Sequence, residues 1–217
     1  MSTSATSRQR ILDRIRAEEG PKATGAFVGS SAGPHAYFRR GALDRSACLS
    51  LMIERLREYD AEVVECTPEQ ISTTIDDQLS ASGKHLFTAP QGLPSAWMSA
   101  SFDWKVDHQL PAEEIEKTEG VVTASFCGIA DSGTIVLHHS ASEGRRVLTL
   151  LPDWHLCILR ASQVVETLPE YFDRCPAPPA LATYISGPSA TADIEMTRIK
   201  GVHGPRFLHV ILVRDES

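Results

Sequence analysis

The residues that could carry chemistry concentrate around the Gly-Pro-Ser-Ala-Thr segment at residues 187–191. An apolar stretch of strand character at residues 181–186 precedes it, so the sequence predicts a strand that turns into a helix capped by Ser189. The free backbone N–H groups and the positive end of such a helix would attract a carboxylate or a phosphate. Gly187, Ser189 and Thr191 are therefore candidate substrate-binding residues; an ordinary helix cap explains the same pattern.

Three ionisable side chains follow that corner. Asp193 and Glu195 are two positions apart, about 200° around a helix, so they cannot both face one ligand. Asp193 would share a face with Ser189 and is the candidate catalytic carboxylate, whereas Glu195 is a candidate binding residue that could instead pair with Arg198. His203, in a Gly-Val-His-Gly-Pro turn, is a second catalytic candidate: it could shuttle a proton, ligate a metal or simply satisfy backbone groups.

A second polar turn, Asp-Ser-Gly-Thr, occupies residues 131–134. It could place a carboxylate at the mouth of a sheet, which makes Asp131 the third catalytic candidate and Thr134 a further binding candidate. A plain hairpin turn is the alternative, because Asp, Ser and Gly are the residues that turns favour.

The cysteines and histidines give no pattern of a metal site. No C-x-x-C pair occurs, so no iron–sulfur cluster or structural zinc is predicted for this chain. Four of the five cysteines have apolar neighbours and are expected to be reduced core residues. His138, His139 and His155 lack a recognised ligand spacing, and no dinucleotide-binding, Walker or nucleophile-elbow motif is present. The prediction is therefore that this chain holds no cofactor and no metal.

Composition narrows the class of protein. A net charge of −7 over 217 residues argues against nonspecific binding to nucleic acid, which needs a basic surface. No stretch approaches the roughly 18 apolar residues of a membrane span. The first eight residues lack the apolar segment of a signal peptide, so a cytoplasmic location is expected.

The pattern of elements predicts two regions. A surface helix is predicted for residues 6–18, and a Gly-, Pro- and Ser-rich connection follows to residue 43. From residue 44 to 217 strands and helices alternate, beginning with a helix capped by Asp44 and a capping box at residues 67–70. We therefore expect an N-terminal appendage, 1–43, and one α/β domain, 44–217.

The alternation predicts a mostly parallel sheet with helices on both faces. The two strands that flank the turn at residues 128–133 predict an antiparallel excursion. Ligands of open α/β sheets bind beyond the carboxyl ends of the strands. The corner at Gly187 and the turn near Gly128 both follow strands, so they could face one cleft.

Several of these blocks resemble the lactate utilization protein C family, which belongs to the LUD-domain group. They are Gly-Pro-Ser-Ala-Thr-Ala-Asp-Ile-Glu at 187–195, Gly-Val-His-Gly-Pro at 201–205, and Gly-Ile-Ala-Asp-Ser-Gly-Thr-Ile-Val-Leu at 128–137, continuing to Leu-Leu-Pro-Asp-Trp-His at 150–155. The resemblance covers roughly the last hundred residues firmly and the first hundred loosely. One departure is Asp131-Ser132, where the family usually has Glu-Thr, because the carboxylate of Asp131 reaches less far.

The resemblance implies the fold shared with CoA transferases and ribose-5-phosphate isomerase. It also implies a subunit of an iron–sulfur-dependent L-lactate utilization system that oxidises lactate to pyruvate. The clusters would lie in iron–sulfur and cysteine-rich partner proteins, and this chain would bind a small carboxylate or dock on those partners. Two alternatives stay open: a stand-alone enzyme acting on a phosphorylated sugar or acyl thioester, and an interaction module without a site.

Overall fold

The computed structural model describes residues 8–9, 13–14, 40–191, 199–200 and 204–215. Their contacts divide the chain into two units, Met1–Tyr37 and Phe38–Ser217. In the first unit the described residues are helical, and Gln9 Nε2 donates a hydrogen bond to Asp13 Oδ1 at 3.2 Å. These positions lie within the helix predicted for residues 6–18.

Helix α1, Arg45–Glu58, begins where the sequence predicts. Asp44 caps it, because its Oδ1 accepts a hydrogen bond from the Ala47 N–H at 2.8 Å and satisfies one of the free amides of the first turn. The helix buries an apolar stripe that consists of Leu49, Met52, Ile53 and Leu56.

Helix α2, Ile71–Ser82, follows a 3-10 turn at Pro68–Gln70. The Gln70 side chain accepts a hydrogen bond from the Thr67 N–H at 3.1 Å, as a capping box requires. Two shorter helices are α3, Ala112–Glu116, and α4, Leu168–Arg174. Among the described residues, no helix combines the length and the apolar character that crossing a membrane requires.

The described residues contain twelve strands in two main sheets and one short ladder. They are β1 Glu62–Cys66, β2 Leu86–Pro90, β3 Asp103–Asp107, β4 Gly120–Ala124, β5 Cys127–Ile129, β6 Thr134–Leu137, β7 Trp154–Arg160, β8 Val164–Val165, β9 Thr183–Ile185, β10 Ala190–Thr191, β11 Ile199–Lys200 and β12 Phe207–Val213. Six form a parallel sheet in the order β1-β12-β7-β4-β2-β3. Four form a smaller sheet, β8-β5-β6-β9, in which β5 and β9 run antiparallel to β6. The predicted parallel sheet with an antiparallel excursion is confirmed.

Helices α1 and α2 cover opposite faces of the parallel sheet. Successive side chains of a strand point to opposite faces, and β12 shows the consequence directly. Val210 and Leu212 pack in the core that includes α1, whereas Ile211 and Val213 pack in the core that includes α2. Both faces are therefore buried, which explains why the strands read as nearly continuous apolar runs.

The prediction of a helix that begins at Ser189 is wrong. The next two residues form β10, which pairs antiparallel with β11, so that Thr191 lies opposite Ile199. The Ser189 N–H donates to the Pro205 carbonyl at 2.8 Å and is not a free amide at a helix end. β-Branched residues such as Thr191 and Ile199 favour a strand. The pairing of β10 with β11 joins two separate segments of the chain, so no local signal in the sequence indicates it.

The five cysteines all lie within the described residues, and no disulfide joins them there. The structure confirms that four of them, Cys48, Cys66, Cys127 and Cys157, are buried core residues. Burial raises the pKa of the Cys127 thiol to about 11 and that of Cys157 to about 12. Both thiols therefore stay protonated at neutral pH, a form that is a poor nucleophile and a poor metal ligand.

Candidate functional site

A cavity of about 250 Å³ lies between the end of β9 and the start of β12. Four separate stretches of chain line it: Arg146, Thr149 and Leu150; His155; the continuous segment 183–190; and Gly204, Pro205 and Leu208. Two of the predicted binding residues, Gly187 and Ser189, are among them. The cavity is therefore the place where the structure brings predicted site residues together with polar groups from elsewhere in the chain.

The cavity lies at the amino ends of the parallel strands. His155 is the second residue of β7, and Leu208 is the second residue of β12. We expected a cleft beyond the carboxyl ends of the parallel strands, and this cavity lies at their amino ends instead. The reason is that β9, which leads to Gly187, belongs to the smaller sheet and not to the parallel sheet. A loop packs over the carboxyl ends instead: the Ala141 carbonyl accepts from the Gly92 N–H at 2.9 Å, and the Ser142 carbonyl accepts from the Ala124 N–H at 3.0 Å.

Arg146 carries the only formal charge among the described residues that line the cavity. Its Nη1 donates to Thr183 Oγ1 at 2.6 Å, and no carboxylate within the described chain pairs with it. The described lining also contains the hydroxyls of Thr183, Tyr184, Ser186 and Ser189. A cation that no carboxylate of the described lining opposes suits an anionic ligand, and a guanidinium matches the planar geometry of a carboxylate.

His139 fixes the hydroxyl that holds Arg146. The ring nitrogen Nδ1 lies 2.8 Å from the Gly144 carbonyl, which can only accept, so Nδ1 carries the proton. The other nitrogen, Nε2, lies 2.8 Å from Thr183 Oγ1 and accepts its proton. The oxygen lone pairs of Thr183 are thereby left for Arg146. His139 adopts φ +57°, a left-handed conformation that is uncommon for a residue with a side chain.

A chain of hydroxyls connects the predicted Asp-Ser-Gly-Thr turn to the cavity wall. Ser186 Oγ, in the wall, lies 2.7 Å from Thr134 Oγ1, which lies 2.7 Å from Ser132 Oγ. Thr134 is buried and contacts the wall from behind. Thr134 supports Ser186 and is not part of the described lining, and its role as a binding residue stays a prediction.

Asp131 lies at the surface, in the hairpin turn between β5 and β6, and does not line the described cavity. Its N–H donates to the Glu166 carbonyl at 2.9 Å. The turn packs on α1, because a Cβ added to Gly133, at φ +58°, would lie 2.7 Å from Arg55 Cβ. The segment is a hairpin turn, and a catalytic role of Asp131 stays a prediction.

Three predicted residues, Asp193, Glu195 and His203, lie outside the described residues, and Thr191 is described through its backbone alone. Their proposed roles stay predictions. Sequence reasoning missed Arg146, Thr183 and His139. The signal that could have indicated Arg146 is the pair of arginines, Arg145 and Arg146, that follows the Glu-Gly turn at residues 143–144. Of this pair, Arg145 forms a two-point ion pair with Asp107 at 2.8 Å. Within the described chain, no group of three or more His, Cys, Asp or Glu residues could hold a metal ion.

A second histidine, His155, lines the cavity from β7 and is only 1% exposed. Its Nε2 lies 2.8 Å from Thr123 Oγ1. Burial lowers the pKa of His155 to about 4, so the ring is neutral at physiological pH. It can therefore offer a ligand a hydrogen bond, but not a positive charge.

His155 should make the stability depend on pH. Its folded pKa is below the ordinary value of 6.5, so the unfolded chain binds more protons between about pH 4 and 6.5. The native state consequently loses stability as the pH falls through that window, by about 2 kcal/mol between pH 8 and pH 5. Urea unfolding of wild type and His155→Gln at both pH values measures this. The variant should lack that component, whereas His85→Gln, at an exposed histidine, should keep it; equal pH dependence in all three proteins would contradict the assignment.

Residues 49–213 match the sequence model of the LUD domain, so the chain belongs to the LUD domain family. The lactate utilization protein C of Deinococcus radiodurans is 34% identical over 175 residues, which cover 79% of this chain and 82% of that protein. The lactate utilization protein C of Bacillus subtilis is 37% identical over 122 residues, which cover 52% of this chain and 50% of that protein. The family resemblance read from the sequence blocks is confirmed.

A solved structure gives the same result for the fold. The crystal structure of a DUF162 family protein from Deinococcus radiodurans matches with a TM-score of 0.68 and 31% identity. The match covers 80% of this chain and all of that chain. The α/β class, with a mostly parallel sheet and helices on both faces, is therefore confirmed.

Proposed function

We propose that this chain is a subunit of an L-lactate utilization system and that its cavity binds a short carboxylate such as L-lactate or pyruvate. The relatives named lactate utilization protein C support the first part. The observation that carries the second part is the charge of the cavity: Arg146 is available on its wall, and no carboxylate opposes it among the described lining residues.

The size of the cavity favours a small ligand. Its volume of about 250 Å³ lies below the roughly 300–1,000 Å³ of sites that enclose drug-sized molecules. A three-carbon acid would leave room for water, whereas an acyl thioester with its coenzyme A moiety would extend well beyond the cavity. The surface position of Asp131 gives no support to a thioester-forming nucleophile at this site, so the stand-alone enzyme is the weaker alternative.

Lactate oxidation also requires electron transfer, and we propose that iron–sulfur and cysteine-rich partner proteins supply it. The buried Cys48, Cys66, Cys127 and Cys157 serve the core of this chain. In this account the chain presents the carboxylate while a docked partner accepts electrons. Cell extract passed over the immobilised chain should retain cysteine-rich and ferredoxin-like proteins together with bound iron and acid-labile sulfide. Retention of neither would contradict the docking proposal.

A thermal-shift panel tests the ligand class. A ligand at about a hundred times its Kd stabilises the native state by about 2.7 kcal/mol, which raises the Tm of a chain this long by roughly 5–10 °C. L-lactate and pyruvate should produce such shifts, whereas ribose 5-phosphate, glucosamine 6-phosphate and acetyl-CoA should not. A response restricted to the phosphosugars or the thioester would favour the stand-alone enzyme, and no response to any compound would favour the interaction module.

A further inference from the structure

Two of the three guanidinium nitrogens of Arg146 have no partner in the described chain. Its Nη1 donates to Thr183 Oγ1 at 2.6 Å, and no hydrogen bond within the described residues involves its Nε or Nη2. Arg146 lines the cavity and is exposed to solvent, so these two nitrogens are accessible to a ligand. Together they present two parallel N–H groups, whose spacing matches the two oxygens of a carboxylate.

The same pair of nitrogens binds carboxylates elsewhere in this chain. Arg145 donates from Nε and Nη2 to the two oxygens of Asp107, both at 2.8 Å. Arg206 donates from the same two atoms to the two oxygens of Asp153, both at 2.6 Å. Arg146 offers the same fork, and no carboxylate of the described residues occupies it.

Thr183 and His139 hold Arg146 in place. His139 Nδ1 donates to the Gly144 carbonyl, so the neutral ring accepts the proton of Thr183 at Nε2, with 2.8 Å between the heavy atoms of each contact. The Thr183 oxygen therefore acts only as an acceptor toward Arg146. An exposed arginine without such a contact samples several rotamers, and a ligand would have to immobilise it.

From these contacts we infer that the carboxylate of the ligand binds along the Nε–Nη2 edge of Arg146 through two hydrogen bonds. Thr183 and His139 are the positioning residues that hold this edge ready. Thr183 donates nothing to the ligand, because its one proton goes to His139. Two-point binding fixes the plane of the carboxylate and hence the direction in which a short acid extends. This inference rests on the proposed carboxylate site and specifies how the site holds its ligand.

Calorimetric titration of pyruvate into Arg146→Lys separates the fork from the charge. Lysine keeps the positive charge but cannot form the parallel pair of hydrogen bonds. Arg146→Lys should bind pyruvate about three- to tenfold more weakly than the wild type, the effect of one hydrogen bond. Equal affinity in Arg146→Lys and the wild type would overturn two-point binding and leave the carboxylate site standing. Unchanged binding in Arg146→Gln would overturn the proposed function itself.

Substitutions of His139 and Thr183 test the positioning roles. The amide of His139→Asn places an N–H close to the position of Nδ1, so it keeps the bond to Gly144 and loses the contact with Thr183. Asparagine also tolerates the left-handed conformation at φ +57°. His139→Asn should lower the pyruvate affinity about two- to tenfold, the effect of having to immobilise one long side chain. Thr183→Val, which lacks the hydroxyl, should have the same effect, whereas Thr183→Ser should bind as the wild type does.

The coupling to Arg146 distinguishes positioning from a general loss of structure. In the Arg146→Gln background, Thr183→Val should cause no further loss of affinity, because the side chain that Thr183 positions is absent. His209→Asn is the histidine control, since His209 packs on Trp154, 4.8 Å between ring centres, and does not line the described cavity. An equal loss from Thr183→Val in both backgrounds, or a loss in the control as large as that of His139→Asn, would overturn the positioning roles.

Nitrogen-15 NMR of the wild-type arginine side chains keeps the inference testable if these variants fail to fold. On addition of pyruvate, the Nε–H resonance of Arg146 should move. That of Arg206, whose fork is occupied by Asp153, should stay in place. An Arg146 resonance that does not move at saturating pyruvate would overturn the inference.

Discussion

Replacing Phe87 with alanine should lower the free energy of unfolding by about 3–5 kcal/mol, the range for deleting a buried aromatic ring. Phe87 lies on β2 and is fully buried. Its ring contacts three others, with centre-to-centre distances of 5.6 Å to Phe102, 5.7 Å to Trp104 and 5.8 Å to Trp154. These three rings come from two segments of chain, residues 102–104 and β7, so they cannot all collapse into the cavity that the substitution leaves.

Chemical denaturation of the Phe87→Ala protein measures this loss, and Phe172→Ala supplies the control. Phe172 lies on α4 with 44% of its surface exposed, so its removal should change the stability by less than about 1 kcal/mol. If both variants lost the same free energy, the aromatic cluster around Phe87 would not be the centre of this core.

Replacing Gly187 with alanine should lower the stability by about 2–5 kcal/mol and should also abolish ligand binding. Gly187 adopts φ +92°, and an added Cβ would lie 2.7 Å from the Tyr59 carbonyl oxygen. The backbone conformation alone costs an alanine about 1–2 kcal/mol, and the clash adds about 1–3 kcal/mol because a backbone atom cannot rotate away. The corner that carries Gly187 and Ser189 would have to move, which would displace the cavity wall.

The control for this second prediction is Gly83→Ala. Gly83 also has a positive φ, +68°, yet a Cβ added there would meet nothing within 4 Å. Gly83→Ala should therefore show the conformational cost without the clash, about 1 kcal/mol, and should bind ligand as the wild type does. Comparing the Tm and the ligand-induced shift of both variants isolates the contact with Tyr59. Equal losses in the two variants would mean that this contact is unimportant.

Local signals in the sequence predict most of the helices and strands correctly. Asp44 caps α1, and Gln70 completes the capping box before α2, because both interactions involve residues three positions apart. The parallel sheet is predictable from the alternation of elements and from apolar strands. These features depend on residues that are close together in the sequence, so the sequence alone is enough to predict them.

The candidate site was predicted only in part, because it depends on contacts between distant segments. Ser189 looks like a helix cap, but its N–H donates to Pro205, and the residues after it pair with β11. The cation of the cavity, Arg146, comes from a turn that carries no binding motif. It becomes significant only when β9 brings Thr183 within 2.6 Å of it. The spacing of residues along the chain indicates neither the contact of Ser189 with Pro205 nor that of Arg146 with Thr183.

Arg146 should contribute most to carboxylate binding, and calorimetric titration of pyruvate into wild type, Arg146→Gln and Arg55→Gln tests this contribution. Arg146→Gln should reduce the affinity by about 10- to 100-fold, the effect of losing a hydrogen bond between charged groups. Arg55 is a half-buried arginine on α1, outside the described cavity lining, so Arg55→Gln should bind as the wild type does. Pyruvate binding that survives unchanged in Arg146→Gln would contradict the proposed carboxylate site.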